Sequence, residues 1–283
     1  MAPAWIRPWP RDRATRRAYV DDVFRRVAPQ YDRLTRLLSF GQDDRWKSTL
    51  VGLLPDGSRE MRVLDLATGT AAFPLLLRNA GHRGTIVGVD RSRAMLRRGR
   101  AKCAEDPRIR FVESDLNALP FSPGTFDVIL IGYGLRYLDD LGESMRAAHR
   151  VLRPGGVLLS LDFGLPARRW YRTLCLTYLF VFGTIWGLLL HRRADTYWHI
   201  VESLRAYPGQ EALERAILDA GFARVAIVEQ LGGISVLARA ERAAGAARSA
   251  AAGEERVDGE LDAFAEDERA AGAIAPPRVA RRR

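Results

Sequence analysis

Two carboxylates and a glycine, spaced as Asp65, Gly69 and Asp90, are the residues whose types and intervals could do chemistry in this chain. They lie in a stretch that reads Val63-Leu64-Asp65-Leu66, then Ala67-Thr68-Gly69-Thr70-Ala71-Ala72, then a helix-like segment, then Ile86-Val87-Gly88-Val89-Asp90. The order is strand, tight loop, helix, and strand with an acid at its end. That is half of a nucleoside site, in which a glycine permits close approach and a carboxylate about 20 residues on accepts the ribose hydroxyls. The alternative is a packing turn in which Gly69 only relieves crowding.

Charge separates the two nucleosides such a loop could hold. A dinucleotide brings a pyrophosphate, which requires a glycine-rich turn and a bare helix N-terminus. Here Ala71 and Phe73 follow Gly69, and Pro74 sits early in the helix, so no phosphate cradle is visible. S-adenosylmethionine brings a sulfonium and an ammonium, and Asp65 at the end of the first strand suits a cation. The loop therefore favours the methyl donor.

The 283 residues, 47% of them hydrophobic, suffice for one catalytic domain with tails. Only Cys103 and Cys175 occur, so neither a disulfide framework nor a zinc spacing exists, and a reducing cytosol is expected. His82, His149, His191 and His199 form no metal motif. The N-terminus, with Trp5, Pro8, Trp9 and Pro10 among arginines, lacks the apolar run of a signal peptide. The net charge of +10 invites nucleic acid or an anionic membrane as partner. Much of the excess lies in Arg7 to Arg26 and Arg278 to Arg283, where it could equally be a solvated face. A nucleic-acid enzyme would need basic residues and stacking aromatics beside the donor loop, so no nucleic-acid partner is expected.

Apolar periodicity supplies the elements that must position these groups. Residues 1–15 read as a disordered basic N-terminus. Val20, Val23, Phe24 and Val27 then recur at helical spacing, followed by a second helix from Tyr31 and a third over Trp46 to Leu54. Strands are expected at Ile109 to Glu113, Phe126 to Ile131, Val157 to Asp162, Arg224 to Val228 and Ile234 to Arg239, with Arg153-Pro154-Gly155-Gly156 breaking the helix before the third of these. Ser92 is a candidate N-cap and Gly221 a C-terminal cap. The βα alternation predicts a seven-stranded, mostly parallel sheet with helices on both faces, an α/β Rossmann-like fold over residues 16–240.

Residues 163–207 interrupt the rhythm as an apolar insertion. Positions 173–190 carry no charge and are bracketed by Arg168, Arg169, Arg172, Arg192 and Arg193. Three readings stay open: a membrane span, a core helix or helix pair broken near Gly183, and an apolar lid that touches the bilayer. The Ala/Arg-rich tail, 241–283, lacks the apolar residues to pack and is expected to be disordered.

From about Val23 to Arg239 the chain resembles the ubiquinone/menaquinone biosynthesis C-methyltransferase family of class I S-adenosylmethionine enzymes. The resemblance rests on Tyr31-Asp32-Arg33-Leu34 with Ser39-Phe40-Gly41 and Trp46-Lys47, on Leu64-Asp65-Leu66 with Gly69-Thr70, on Asn117 to Phe121 with Thr125-Phe126-Asp127, on Gly134-Leu135-Arg136, on Arg150 to Gly156, and on Glu202-Ser203 through Pro208-Gly209 to Phe222. Tyr137, Ala71, Ala72 and Ala238 depart from the family pattern.

What the resemblance implies is C-methylation of a polyprenylated quinol, demethylmenaquinol or its ubiquinone-pathway counterpart. It places Thr70 and Asp90 on the donor and Asp115 with Leu116 beside the adenine. It assigns catalysis to Arg136 and Tyr31. An arginine is always protonated, so Arg136 would orient a water or stabilise the quinolate. The competing reading pairs it with Asp139 or Asp140, and Asp115 could instead cap its loop. A polyprenyl acceptor implies a cytoplasmic enzyme peripheral at the inner face of an anionic membrane, with the apolar insertion as its contact. Homo-oligomerisation stays open. The rival functions are methylation of oxygen or nitrogen on another small lipophilic acceptor, and a non-catalytic membrane-associated protein.

Overall fold

Strands that read as nearly continuous apolar runs must be covered on both faces. In the computed structural model, which describes residues 10, 12–244 and 278–281, the two central strands meet that requirement: all four residues of β1 (Val63–Leu66) are buried, and so are Val128 to Ile131 in β4 (Phe126–Gly132). The sheet order is β3-β2-β1-β4-β5-β7-β6-β8, with β2 at Ile86–Asp90, β3 at Ile109–Glu113, β5 at Leu152–Phe163, β6 at Arg224–Gln230, β7 at Ser235–Glu241 and β8 at Arg278–Arg281. Strands β3 through β5 run parallel, and β7, β6 and β8 add antiparallel. From β1 the chain steps one way to β2 and β3 and the other way to β4 and β5. The carboxyl ends of β1 and β4 therefore flank the switch point, where open α/β sheets bind ligands.

Helices α3 (Gln42–Gly52) and α4 (Ala72–Asn79) cover one face with Trp46, Leu50, Phe73 and Leu77. Helices α6 (Leu141–Val151) and α9 (Gln210–Asp219) cover the other with Met145, Ala148, Leu213 and Ile217. Ser92 caps α5 (Arg93–Lys102) by accepting from the Met95 N–H, as its sequence context predicts. A separate cluster of Val23, Val27, Leu34, Leu38 and Tyr197 joins α1 (Arg13–Val27) and α2 (Tyr31–Leu38) to the insertion.

The structure corrects five expectations. Helix α1 begins at Arg13, inside the segment read as unstructured, because Asp12 caps it by accepting from the Thr15 N–H at 2.8 Å. The Arg153 to Gly156 break does not delay β5; it is taken up as an irregularity in the ladder, with Phe126 opposite Leu152 and Val128 opposite Val157. The insertion forms one unbroken helix, α7 (Arg169–His191), followed by α8 (Trp198–Ala206). Gly183 does not break α7: it is a close-packing point, since a Cβ there would meet the Tyr197 Cβ at 3.2 Å. An eighth strand, β8, comes from the C-terminal segment expected to be unpacked and pairs with β6. The arginines of α1 are also not simply solvated, as described below. Most of the N-terminal and C-terminal segments read as disordered lie outside the described residues.

Candidate active site

The loop after β1 turns by placing Ala67, Gly69 and Ala71 in the left-handed region, at φ of 54°, 56° and 67°. Only the glycine adopts this without steric cost. The turn aims the Gly69 N–H at Asp90 Oδ2, 2.8 Å away, while Asp90 Oδ1 accepts from the Ser92 N–H at 2.8 Å. Two backbone amides thus fix the carboxylate, which keeps lone pairs for ligand hydroxyls. Gly88 in β2 makes the room, since a Cβ there would come within 2.8 Å of the Thr68 hydroxyl.

This loop borders a cleft at the switch point. Gly69, Asp90, Asp115, Leu116 and Tyr31, all singled out in the sequence, line it, and Met95 adds a further apolar side chain. Asp115 receives the Asn117 N–H at 3.0 Å, the loop-capping role weighed from sequence, and still faces the cleft. Thr70 is placed elsewhere: it is buried, its hydroxyl donates to Asp32, and it is not on the cleft wall. Asp65 lies beneath the loop, bonded by the Thr68 hydroxyl at 2.5 Å, with its Oδ1 unpartnered.

Arg136 is not at the cleft surface and does not pair with Asp139 or Asp140. The turn at Leu135–Tyr137 carries it inward to Asp162 at the end of β5, 2.6 Å from its Nε, and its Nη1 donates to Ser203 of α8 at 3.0 Å. Its guanidinium lies over the rings of Tyr137 and Phe163, at 5.1 and 5.4 Å from their centroids. Asp140 instead caps α6, and Asp139 is taken by Arg17 and Arg91. Tyr137 faces the cleft in its own right.

Sequence reasoning missed the roof of the cleft. Val20, Asp21 and Phe24 of α1 line it, and Arg17 on the same helix pairs with Asp139 and, at 2.7 Å, with Asp115. Arg91 reaches Asp21 at 3.0 Å. Part of the N-terminal charge therefore closes α1 over the cleft. Tyr133 was also missed; its φ of 57° was the one local signal, and such a signal is invisible before a structure exists.

The cleft fits S-adenosylmethionine. Asp90 can take ribose hydroxyls, Leu116 and Met95 offer apolar walls for the adenine, and Asp65 Oδ1, without a hydrogen-bond partner among the described residues, leaves under the loop a carboxyl that a cationic ligand would help to ionise. When bound, the donor supplies an electrophilic methyl group. Burial pushes the Tyr31 phenol far above its ordinary pKa, with Tyr137 and Asp43 adding. Tyr31 therefore stays protonated and can donate a hydrogen bond but cannot act as a base.

Burial also pushes the Asp65 carboxyl up to about 7; the Thr68 hydrogen bond and Lys47 oppose this, and Asp90 adds to it. The folded state then holds this proton more tightly than the unfolded chain does. Fold stability falls as pH rises from about 4 through 7, by on the order of 1 kcal/mol per unit, and levels off above. Asp65→Asn removes that loss. In urea unfolding the variant is expected to exceed the wild type in stability at pH 8 and match it at pH 4; a pH-independent difference would contradict the assignment.

Comparison with known proteins places the whole domain. Residues 12–242 match the model of the ubiE/COQ5 methyltransferase family. The ubiquinone/menaquinone biosynthesis C-methyltransferase UbiE of Shewanella frigidimarina is 36% identical over 227 residues, 78% of this chain and 89% of the relative. The demethylmenaquinone methyltransferase of Thermus thermophilus is 37% identical over 201 residues, 71% of this chain and 91% of the relative. Among solved structures, a SAM-dependent methyltransferase of Thermotoga maritima, described as a possible histamine N-methyltransferase, superposes with a TM-score of 0.57 at 20% identity, covering 78% of this chain and 98% of that one; this likeness speaks to the fold alone. The chain belongs to the ubiE/COQ5 methyltransferase family, and its methyl donor is S-adenosylmethionine.

Proposed function

We propose that this chain methylates a ring carbon of a polyprenylated quinol, demethylmenaquinol or its benzoquinol counterpart in ubiquinone biosynthesis. The observation that carries this reading is the family match, which spans α1, the donor loop and the insertion together. A ring carbon becomes nucleophilic when the neighbouring hydroxyl gives up its proton. In this reading Tyr31 donates a hydrogen bond to the resulting oxyanion, and Arg136, held by Asp162, supplies the positive field that stabilises it.

The acceptor's tail motivates the second part. Along α7, Trp170, Leu174, Val181, Ile185, Leu188 and Leu189 are exposed, and the most apolar stretch of 18 residues in the helix has a mean hydropathy of 1.9 with 11% of it buried. Phe40, 74% exposed, extends this surface by packing on Tyr178 and Phe182. An exposed apolar surface with arginines at both ends matches an interfacial helix. Helix α7 is also tied into the domain, at the edge of that surface by Tyr178 donating to the Leu38 carbonyl at 2.9 Å and on the opposite face by Gly183 against Tyr197. These ties favour a helix lying in the surface over one spanning the bilayer, and so a peripheral enzyme on the cytoplasmic face.

Incubation with methyl-labelled donor and demethylmenaquinol is expected to place the label on the ring carbon, as read by NMR of the product. Label on oxygen, or none, would refute the reading. In a separate measurement, the protein should co-sediment with phosphatidylglycerol vesicles at low salt and be released by carbonate. Leu174→Glu with Leu189→Glu should weaken binding about tenfold or more, as loss of two buried leucines implies. Indifference to vesicles would remove the membrane part alone.

A further inference from the structure

The loop after β1 is held from two sides. Ala67 and Ala71 sit in the left-handed region at φ of 54° and 67°, which costs any residue that carries a Cβ and lasts only where surrounding contacts enforce it. On one side Asp90 accepts the Gly69 N–H at 2.8 Å. On the other, the buried Thr70 hydroxyl donates to Asp32 Oδ1, and Asp32 Oδ2 receives the Lys102 ammonium at 2.5 Å. Helix α5 spans the two anchors: Asp90 fixes the Ser92 N–H at its N-cap, and Lys102 is its last residue. The helix also lies close to the loop, since a Cβ on Gly99 would stand 3.4 Å from the Gly69 carbonyl oxygen. Asp90, α5, Lys102 and Asp32 therefore close a ring around Gly69 and Thr70.

Asp32 is outside the cleft wall, whereas Tyr31, the residue before it, is on that wall. The two residues open α2, where the Asp32 carboxylate also suits the positive end of the helix. The far end of α2 is anchored by Leu34 and Leu38 in the cluster with Tyr197. Its near end meets the donor loop through Asp32, so the hydrogen bond from Thr70 bears directly on where Tyr31 stands. Gly69, next to Thr70, and Asp90, which holds it, face the cleft. A ligand on those two residues and Asp32 behind them thus act on one strained turn.

We propose that Asp32 is a positioning residue that couples the donor loop to Tyr31, so that a bound donor prepares the acceptor side of the cleft. This rests on the quinol reading, in which Tyr31 meets the acceptor's ring oxygen. A donor seated on Gly69 and Asp90 helps to enforce the left-handed turn. The turn keeps the Thr70 hydroxyl on Asp32, and Asp32 keeps the first turn of α2, with Tyr31, in place. With the donor site empty the strained turn has less to hold it, and Tyr31 is less well aligned. Such coupling is reciprocal, so each ligand strengthens the other by the same factor.

Calorimetry with 1-naphthol, an aromatic hydroxyl without the prenyl tail, reads the coupling directly. The wild type is expected to bind the naphthol about fivefold or more tighter when S-adenosylhomocysteine is saturating than when it is absent, the lower end of coupling between sites. Thr70→Val keeps the side chain's shape and leaves Asp32 at the start of α2, but removes the hydroxyl. It should bind the naphthol as the wild type does without S-adenosylhomocysteine and gain nothing when that ligand is added. A purely structural loss would instead lower the affinity in both conditions. Asp32→Ala should behave as Thr70→Val does, and Thr70→Ser, which restores the hydroxyl, should restore the gain. Equal naphthol affinity with and without S-adenosylhomocysteine in the wild type would overturn the coupling and leave the quinol reading standing. An undiminished gain in Thr70→Val would likewise overturn the role of Asp32. If the wild type binds no naphthol in either condition, the quinol reading falls and this inference with it.

Discussion

A guanidinium buried at the ends of two central strands is tolerable only with a carboxylate beside it, and the pairing of Arg136 with Asp162 sets the geometry around it. Asp162 does more than neutralise the charge: its Oδ2 accepts the Leu135 N–H at 2.9 Å and its Oδ1 the Phe163 N–H at 2.7 Å. The turn after β4 is thereby tied to the end of β5, and through Ser203 to α8. Tyr133 and Tyr137, which line the cleft on either side of that turn, take their places from it. Breaking one member of such a pair leaves an uncompensated buried charge, which costs about 3–5 kcal/mol. That wall of the cleft is therefore fastened to the sheet.

The donor side is held differently. Its loop relies on backbone amides meeting Asp90, and its roof relies on side-chain charge. Asp139, 4% exposed at its side chain, is approached by Arg16, Arg17 and Arg91 from two directions. Because Arg17 also holds Asp115, α1 and the loop after β3 are tied together. One wall is thus held by a buried ion pair and the roof by partly exposed ones.

Much of this was legible in the sequence because local rules govern it. Period-two and buried apolar runs located β1 to β7, and the loop with Asp90 at the next strand end located the donor site. Partners far apart in sequence were not legible. The competing reading of Arg136 offered only the nearby aspartates as partners because proximity in the chain is all a sequence offers, whereas its partner, Asp162, lies at the end of the next strand. Charge counting left the α1 arginines as a partner surface or a solvated face because it has no access to Asp139 and Asp115. Gly183 reads as a helix breaker unless Tyr197 is known to pack on it, and Tyr133 carries no residue-type signal of its backbone conformation.

The central claim is that the cleft at the carboxyl ends of β1 and β4 binds the methyl donor through Asp90. Calorimetric titration of S-adenosylhomocysteine into the wild type and into Asp90→Ala tests it most directly. The account predicts one site per chain, weakened about tenfold to a hundredfold in the variant as loss of hydrogen bonds to a carboxylate implies. Equal affinity in the two proteins, or no binding by the wild type, would contradict it.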